Sequence, residues 1–168
     1  AKLVSSFKQV AVDQSSDEDR LFNIKEIFEE VIVSLNNVLK RTKHEIKLNI
    51  DDSFQINSNP GAFSQILTNL IMNSIIHGFE SKEDGKIDIY TEKKESFLFL
   101  TYKDNGKGMD NKAQEKIFDP FYTTRRNKGG SGLGMNIIYN IITQKFNGSI
   151  KVSSQINKGI KFIIKIPL

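Results

Sequence analysis

Apolar residues along the chain follow two rhythms, one near every third or fourth position and one at every second. Leu3, Phe7 and Val10 keep helical spacing before a polar stretch over 13–20, which predicts the tail of a helix and a linker. The domain proper begins at Leu21. Asn23 is placed to cap a helix over 24–41 whose inner face carries Ile27, Val31, Leu35, Val38 and Leu39. Over 44–50 the residues Ile46, Leu48 and Ile50 alternate, the pattern of a half-buried strand. Pro60, tolerated in a first turn, opens a second helix that runs to His77 and stops at Gly78. Ile66, Leu67, Leu70, Ile71, Met72, Ile75 and Ile76 make it apolar almost all round, so it should be buried.

Two strands follow at 86–92 and 97–103, joined by a charged turn as a hairpin. The stretch 119–131 shows no periodicity and is long enough to serve as a lid. A third helix fits 133–146, ended by Asn147 and Gly148, before a final hairpin over 149–166. Without regular βαβ alternation or an internal repeat, the pattern predicts an α/β (α+β) two-layer sandwich. Its mixed, mostly antiparallel sheet of about five strands would pack on about three helices.

With 168 residues, 38% hydrophobic and 26% charged, the chain has the length and composition of one globular domain. It contains no cysteine, which excludes disulfides and thiolate metal sites. No apolar run approaches the roughly 20 residues of a membrane helix. It opens at Ala1 without methionine or leader, as expected of an excised piece of a longer protein. The net charge of +4 comes from scattered residues, 24 basic against 20 acidic, and reads as a solvated surface.

Three features carry candidate chemistry. Asn69, Asn73 and His77 recur four residues apart, on one stripe of the apolar helix. A buried amide without a partner costs roughly 2–7 kcal/mol on transfer scales, so a single one usually bonds nearby backbone; two in register above a histidine favour a site. Next, Asp104, Asn105, Gly106, Lys107, Gly108 and Met109 follow a strand directly. Asn-Gly is a strong hairpin signal, yet 110–118 lacks the alternation of a partner strand. Glycines there would let a ligand approach the backbone, and a carboxylate at the strand end can accept a hydrogen bond from a base. Finally, Gly129, Gly130, Ser131, Gly132, Leu133 and Gly134 precede a helix, an arrangement that can offer free N–H groups to phosphate. No strand precedes them and Met135 and Asn136 follow, which disfavours both a Rossmann fingerprint and a P-loop.

These blocks, with Lys116, Ile117, Phe118, Asp119, Pro120, Phe121, Tyr122, Thr123 and Thr124 between the glycine segments, resemble the catalytic, ATP-binding domain of sensor histidine kinases. Asn69 and Asn73 resemble that family's N box, 104–108 its first glycine box, 118–121 its F box and 130–134 its second glycine box. The resemblance covers 21–168, and 1–20 look like the end of a dimerisation helix and its linker. It implies a Bergerat-type sandwich that binds ATP with Mg²⁺. By that resemblance Asp104 accepts from the adenine amino group, with Gly106, Gly108 and Met109 beside it and Gly108 admitting the base. Asn73 is the metal ligand, and Asn69 reaches phosphate or a metal-bound water; these two are the catalytic residues. Thr123, Thr124 and Arg125 belong to the ATP lid, whose root Phe118 and Phe121 pack. Gly130, Ser131, Gly132, Leu133 and Gly134 face the phosphates, and His77 contacts phosphate or fills the pocket wall. One departure is Ile76, where the family commonly carries lysine.

In related topoisomerase, mismatch-repair and chaperone ATPases a glutamate stands where this chain has Asn69. An amide cannot take a proton, so hydrolysis should be slow while phosphoryl transfer survives. His44 with Glu45 mimics a phosphoacceptor pair but begins a strand, and is expected to be an exposed structural residue. The expected partners are therefore the protein's own dimerisation and phosphoacceptor domain and a response regulator receiver domain, with no nucleic acid and no membrane contact. The expected location is the cytoplasm, on its own or as the inner part of a membrane-anchored receptor. Two rivals are a non-catalytic nucleotide-sensing module and a serine kinase of the anti-sigma-factor type.

Overall fold

A computed structural model describes residues 18–123 and 132–168. Strand β1 (Arg20–Asn23) leads straight into helix α1 (Ile24–Ser34), because the Asn23 side chain accepts from the N–H groups of Lys25 and Glu26 at 2.9 and 3.2 Å. The helix expected to reach residue 41 ends at Ser34. Leu35 leaves the helical conformation (φ −88°, ψ 2°), and a single turn, α2 (Asn36–Leu39), follows at two asparagines of low helix propensity. After β2 (Glu45–Asn49), β3 (Gln55–Ser58) returns to pair antiparallel with β1. This small second sheet was not expected; four residues are too few to display an alternating pattern.

Helix α3 (Pro60–Asn73) is capped by Asn59, which accepts from Ala62 N at 2.8 Å, and continues into a π-helical turn (Ser74–Gly78). Strands β4 (Lys86–Lys94) and β5 (Phe97–Asp104) form the expected hairpin. Helix α4 (Asn111–Lys116) is short; α5 (Gly134–Asn140) also ends in a π turn (Ile141–Lys145) before β6 (Ser149–Ser154) and β7 (Ile160–Pro167). The main sheet runs β2-β4-β5-β7-β6, parallel only between β2 and β4. The mixed, mostly antiparallel five-stranded sheet is thus as expected, with two short helices added to the three long ones.

Alternation decides what each face of the sheet meets. Leu98, Leu100, Tyr102 and Asp104 of β5 are buried, together with Ile87 and Ile89 of β4 and Phe162, Ile164 and Ile166 of β7. They pack with Phe28, Phe63, Ile66, Leu67, Leu70 and Ile71 from α1 and α3, and with Ile138 from α5. The residues between them, among them Phe99, Thr101, Lys103, Ile163 and Lys165, point to the other face. Helix α3 lies between α1 and α5. Its C-terminal end therefore meets both the end of β5 and the start of α5.

Candidate functional site

The site begins where α3 widens. A π turn shifts side chains out of the α-helical stripe, and Phe79 N–H closes it on Ser74 O at 2.8 Å. Asn69 is 6% exposed and gives one amide N–H to Gln65 O at 3.0 Å, which leaves its oxygen and its second N–H for other partners. That oxygen faces Gly134: a Cβ built on this glycine would lie 3.4 Å from Asn69 Oδ1 and 3.7 Å from both amide atoms of Asn73. The second glycine segment is thus folded onto the asparagine stripe. Asn73 Nδ2 is buried without a hydrogen-bond partner, a polar atom that a bound group would answer.

Asp104 sits at the end of β5 with 9% exposure. Its Oδ1 accepts from Gly106 N at 2.9 Å and Ile160 N at 3.2 Å, and its Oδ2 from Ser74 Oγ at 2.5 Å. Ser74 Oγ is in turn 2.7 Å from the Tyr102 hydroxyl, which also reaches Leu70 O at 3.1 Å. Burial pushes the Asp104 carboxyl above its usual range, against the opposing effect of these three donors, and burial also drives the Tyr102 hydroxyl well above its ordinary value.

The glycines of the first segment serve the backbone. Gly106 lies against Gly78, so that a Cβ would come within 2.7 Å of Gly78 O. Gly108 has φ +65°, and a Cβ there would fall 2.0 Å from Gln155 O. On the side where a Cβ would stand, Gly108 is packed against the β6–β7 turn. Met109 N–H donates to Ser154 Oγ, while Gln114 bonds Met109 O and both backbone groups of Ser154. This second layer anchors the segment after Asp104 to β6.

Phe118 packs against Tyr139 and Phe162, with centroids 5.4 and 6.4 Å away, and its carbonyl accepts from Asn136 Nδ2 at 3.1 Å. Phe121, expected to pack the lid's root, is 63% exposed as a residue, and its backbone makes a close contact. With φ +63° it lies against Gly132 (φ +68°), whose Cβ would come within 2.5 Å of Phe121 C. The two ends of the lid segment therefore meet. Thr123, Leu133 and His77 lie within the described residues; Thr124, Arg125, Gly130 and Ser131 lie outside them. Ile76 is half-buried and packs against the core.

His44 is partly buried rather than exposed. Its Nδ1 accepts from Gly85 N at 3.0 Å and its ring lies against Phe79, tilted by 45° with centroids 4.6 Å apart. Sequence reasoning overlooked Ser74, Tyr102 and Gly78. A small polar residue directly after Asn73 in an apolar helix, and a tyrosine two residues before Asp104 on the buried face, were the available signals.

Residues 58–168 match the family described as histidine kinase-, DNA gyrase B- and HSP90-like ATPase. The chain belongs to this family. Within this ATPase family the likeness runs to histidine kinases. The catalytic domain of histidine kinase ThkA superposes with a TM-score of 0.77 at 28% identity, covering 89% of this chain and 95% of that one. Sporulation kinase A of Bacillus subtilis is 32% identical over 172 residues, 98% of this chain and 26% of that protein. ArlS of Staphylococcus aureus, a signal transduction histidine-protein kinase, is 34% identical over 146 residues, 79% of this chain and 32% of that protein. The chain spans about a quarter of the length of the relatives it matches over nearly its whole length. The fold is that of a histidine kinase catalytic domain, and the family assignment implies nucleotide use.

Proposed function

We propose that the chain binds Mg-ATP and is the phosphoryl-donating part of a two-component sensor histidine kinase. The observation that carries this reading is the Asn69–Asn73–Gly134 contact at one end of a site whose other end is the buried carboxylate of Asp104. Asp104 supplies an acceptor for the adenine amino group. Gly132, Leu133 and Gly134 would offer backbone N–H groups to the phosphates, a role that the family resemblance extends to Gly130 and Ser131, as it assigns Thr123, Thr124 and Arg125 to the lid. His77 lies in the π turn that follows the asparagines, and a phosphate contact from it remains part of the proposal.

Magnesium keeps most of its shell as water and phosphate oxygen and takes few protein ligands, so two amides fit it. Asn73 would hold it, and it would supply positive charge against the polyphosphate. One N–H of the Asn69 amide goes to Gln65 O, so its second N–H is suited to donate to phosphate and its oxygen to accept from a water.

Transfer places the γ-phosphorus on an imidazole nitrogen of the acceptor. A P–N bond forms, the P–O bond to the β-phosphate breaks, ADP leaves and the imidazole proton passes to solvent. With an amide at position 69, no side chain there can activate water. The acceptor histidine would come from the protein's own dimerisation domain, and a response regulator would receive the group next. Histidine kinase ThkA has been solved in complex with response regulator protein TrrA, and its chain superposes with a TM-score of 0.73 at 25% identity, covering 99% of this chain and 48% of that one. No helix among the described residues is long and apolar enough to cross a membrane, compatible with the proposed cytoplasmic placement.

Ile76 favours a second reading, a nucleotide sensor without transfer, since it puts an apolar side chain where the family commonly has a cation. Thermal unfolding with ADP and Mg²⁺ tests nucleotide binding itself: occupancy at a hundredfold excess over Kd stabilises by about 2.7 kcal/mol. A magnesium-dependent rise is expected, and an unchanged melting temperature would rule out both readings.

A further inference from the structure

An ionised carboxylate offers about four acceptor positions, two on each oxygen. At Asp104 the two backbone N–H groups of Gly106 and Ile160 take Oδ1, and Ser74 Oγ takes one position on Oδ2. One position on Oδ2 is left. The space beside that oxygen is kept by Gly78, where a Cβ would stand 3.4 Å from Oδ2 and 3.8 Å from Ser74 Cβ. Gly78 is not in a left-handed conformation, so its want of a side chain answers to this space and to the close approach of Gly106 rather than to backbone strain.

The direction of the hydroxyl chain matters. Ser74 has one proton and Tyr102 has one. When Ser74 donates to Asp104, the Tyr102 proton is drawn to Ser74 Oγ at 2.7 Å in preference to Leu70 O at 3.1 Å, which also accepts from Ser74 N within the helix. The series then runs from Tyr102 through Ser74 to Asp104, and both protons point toward the carboxylate. It stabilises the charged acceptor that burial disfavours.

We infer that Ser74 and Tyr102 are positioning residues for base recognition: their hydroxyls, in series, hold Asp104 as an acceptor with one position open beside Gly78, an arrangement that takes an exocyclic amine and rejects an oxo group. This rests on the nucleotide reading above. A 6-aminopurine places an N–H on the open position. A 6-oxopurine sets oxygen against oxygen, leaving two buried acceptors unanswered.

Calorimetric titration of the chain with Mg-ADP and Mg-IDP, whose bases carry amino against oxo at position 6 and a bare nitrogen against N–H at position 1, tests this. The parent should prefer ADP by about tenfold or more, the usual consequence of leaving a buried polar group unpaired. Ser74→Ala frees the second Oδ2 position and removes the donor that holds the charge, so the preference should fall by about fivefold or more. Tyr102→Phe, which keeps the ring and leaves Ser74 bonded to Asp104, should move the ratio in the same direction by less. Equal affinity of the parent for both nucleotides would overturn the inference. So would variants that stay folded by circular dichroism and weaken both nucleotides alike, since lost packing alone acts equally on the two. Failure of the parent to bind ADP at all would instead remove the nucleotide reading on which this stands.

Discussion

At Asp104 a carboxylate is stabilised by three hydrogen bonds and destabilised by burial, and burial has the larger effect. A carboxyl whose folded pKa is raised above 3.8 binds its proton more tightly in the folded chain. Its effect on stability is therefore most favourable below 3.8 and is lost as pH rises through the folded pKa. Asp104→Asn removes that titration and retains an oxygen for the Gly106 and Ile160 N–H groups. The unliganded variant should melt no lower than the parent near neutral pH and should show no ADP-dependent rise; a variant that still responds to ADP would refute the acceptor role. His44 runs the other way. Burial lowers its pKa from 6.5, so its contribution is complete above that value and is lost as pH falls through the folded pKa, when protonated Nδ1 can no longer accept from Gly85. His44→Gln should flatten the melting temperature over that window, and an unchanged pH slope would contradict the bond as the cause.

The elements explain what single residues do not. Gly108, assigned by resemblance to admit a base, has a φ of +65° and stands against the Gln155 carbonyl, so the β6–β7 turn requires glycine here even without a ligand. Left-handed backbone alone costs about 1–2 kcal/mol with a side chain. Gly108→Ala should lower the melting temperature in the absence of any ligand, whereas a residue that only admits ligand would leave that melt unchanged. On the open face of the sheet, Lys103 and Lys161 stand directly opposite each other on β5 and β7. Like charges so placed are destabilising, and an opposite pair contributes roughly 0.2–1 kcal/mol. Lys161→Glu should raise the melting temperature at low ionic strength, with the gain fading in salt.

The whole molecule arranges charge by layer. The open face carries Lys47, Lys86, Lys94, Lys103, Lys151, Lys161 and Lys165 against Glu45, Asp88 and Glu92, seven basic residues against three acidic ones. The scattered lysines of the sequence thus converge on the face away from the helices, while the candidate site lies at the helical layer's edge. On the proposed function the chemistry is divided too, with the acceptor histidine supplied by a separate domain. Radiolabelled ATP should give little phosphate release from the chain alone and label a separately supplied dimerisation domain on histidine. Asn69→Glu should raise phosphate release, a general base being worth about 10²–10⁴-fold when well placed. Rapid release by the parent chain would contradict the role given to the amide.

Local pattern alone determined the helix over Pro60 and beyond, the β4–β5 hairpin, the two-layer class and the Asn69–Asn73 stripe, because periodicities of 3.6 and 2 are written residue by residue. It also marked Asp104, a carboxylate between a strand and a glycine turn. Tertiary structure alone decided the rest. Ser74 meets Tyr102 and Asp104 across 28 and 30 residues of chain, and Ile160 meets Asp104 across 56, separations no local window spans. The β1–β3 pair, the break of α1 at Leu35 and the backbone role of Gly108 likewise depend on which distant surface each segment meets. Sequence patterning sets which face of an element is apolar; only packing brings faces together and decides which polar group is left with an open position.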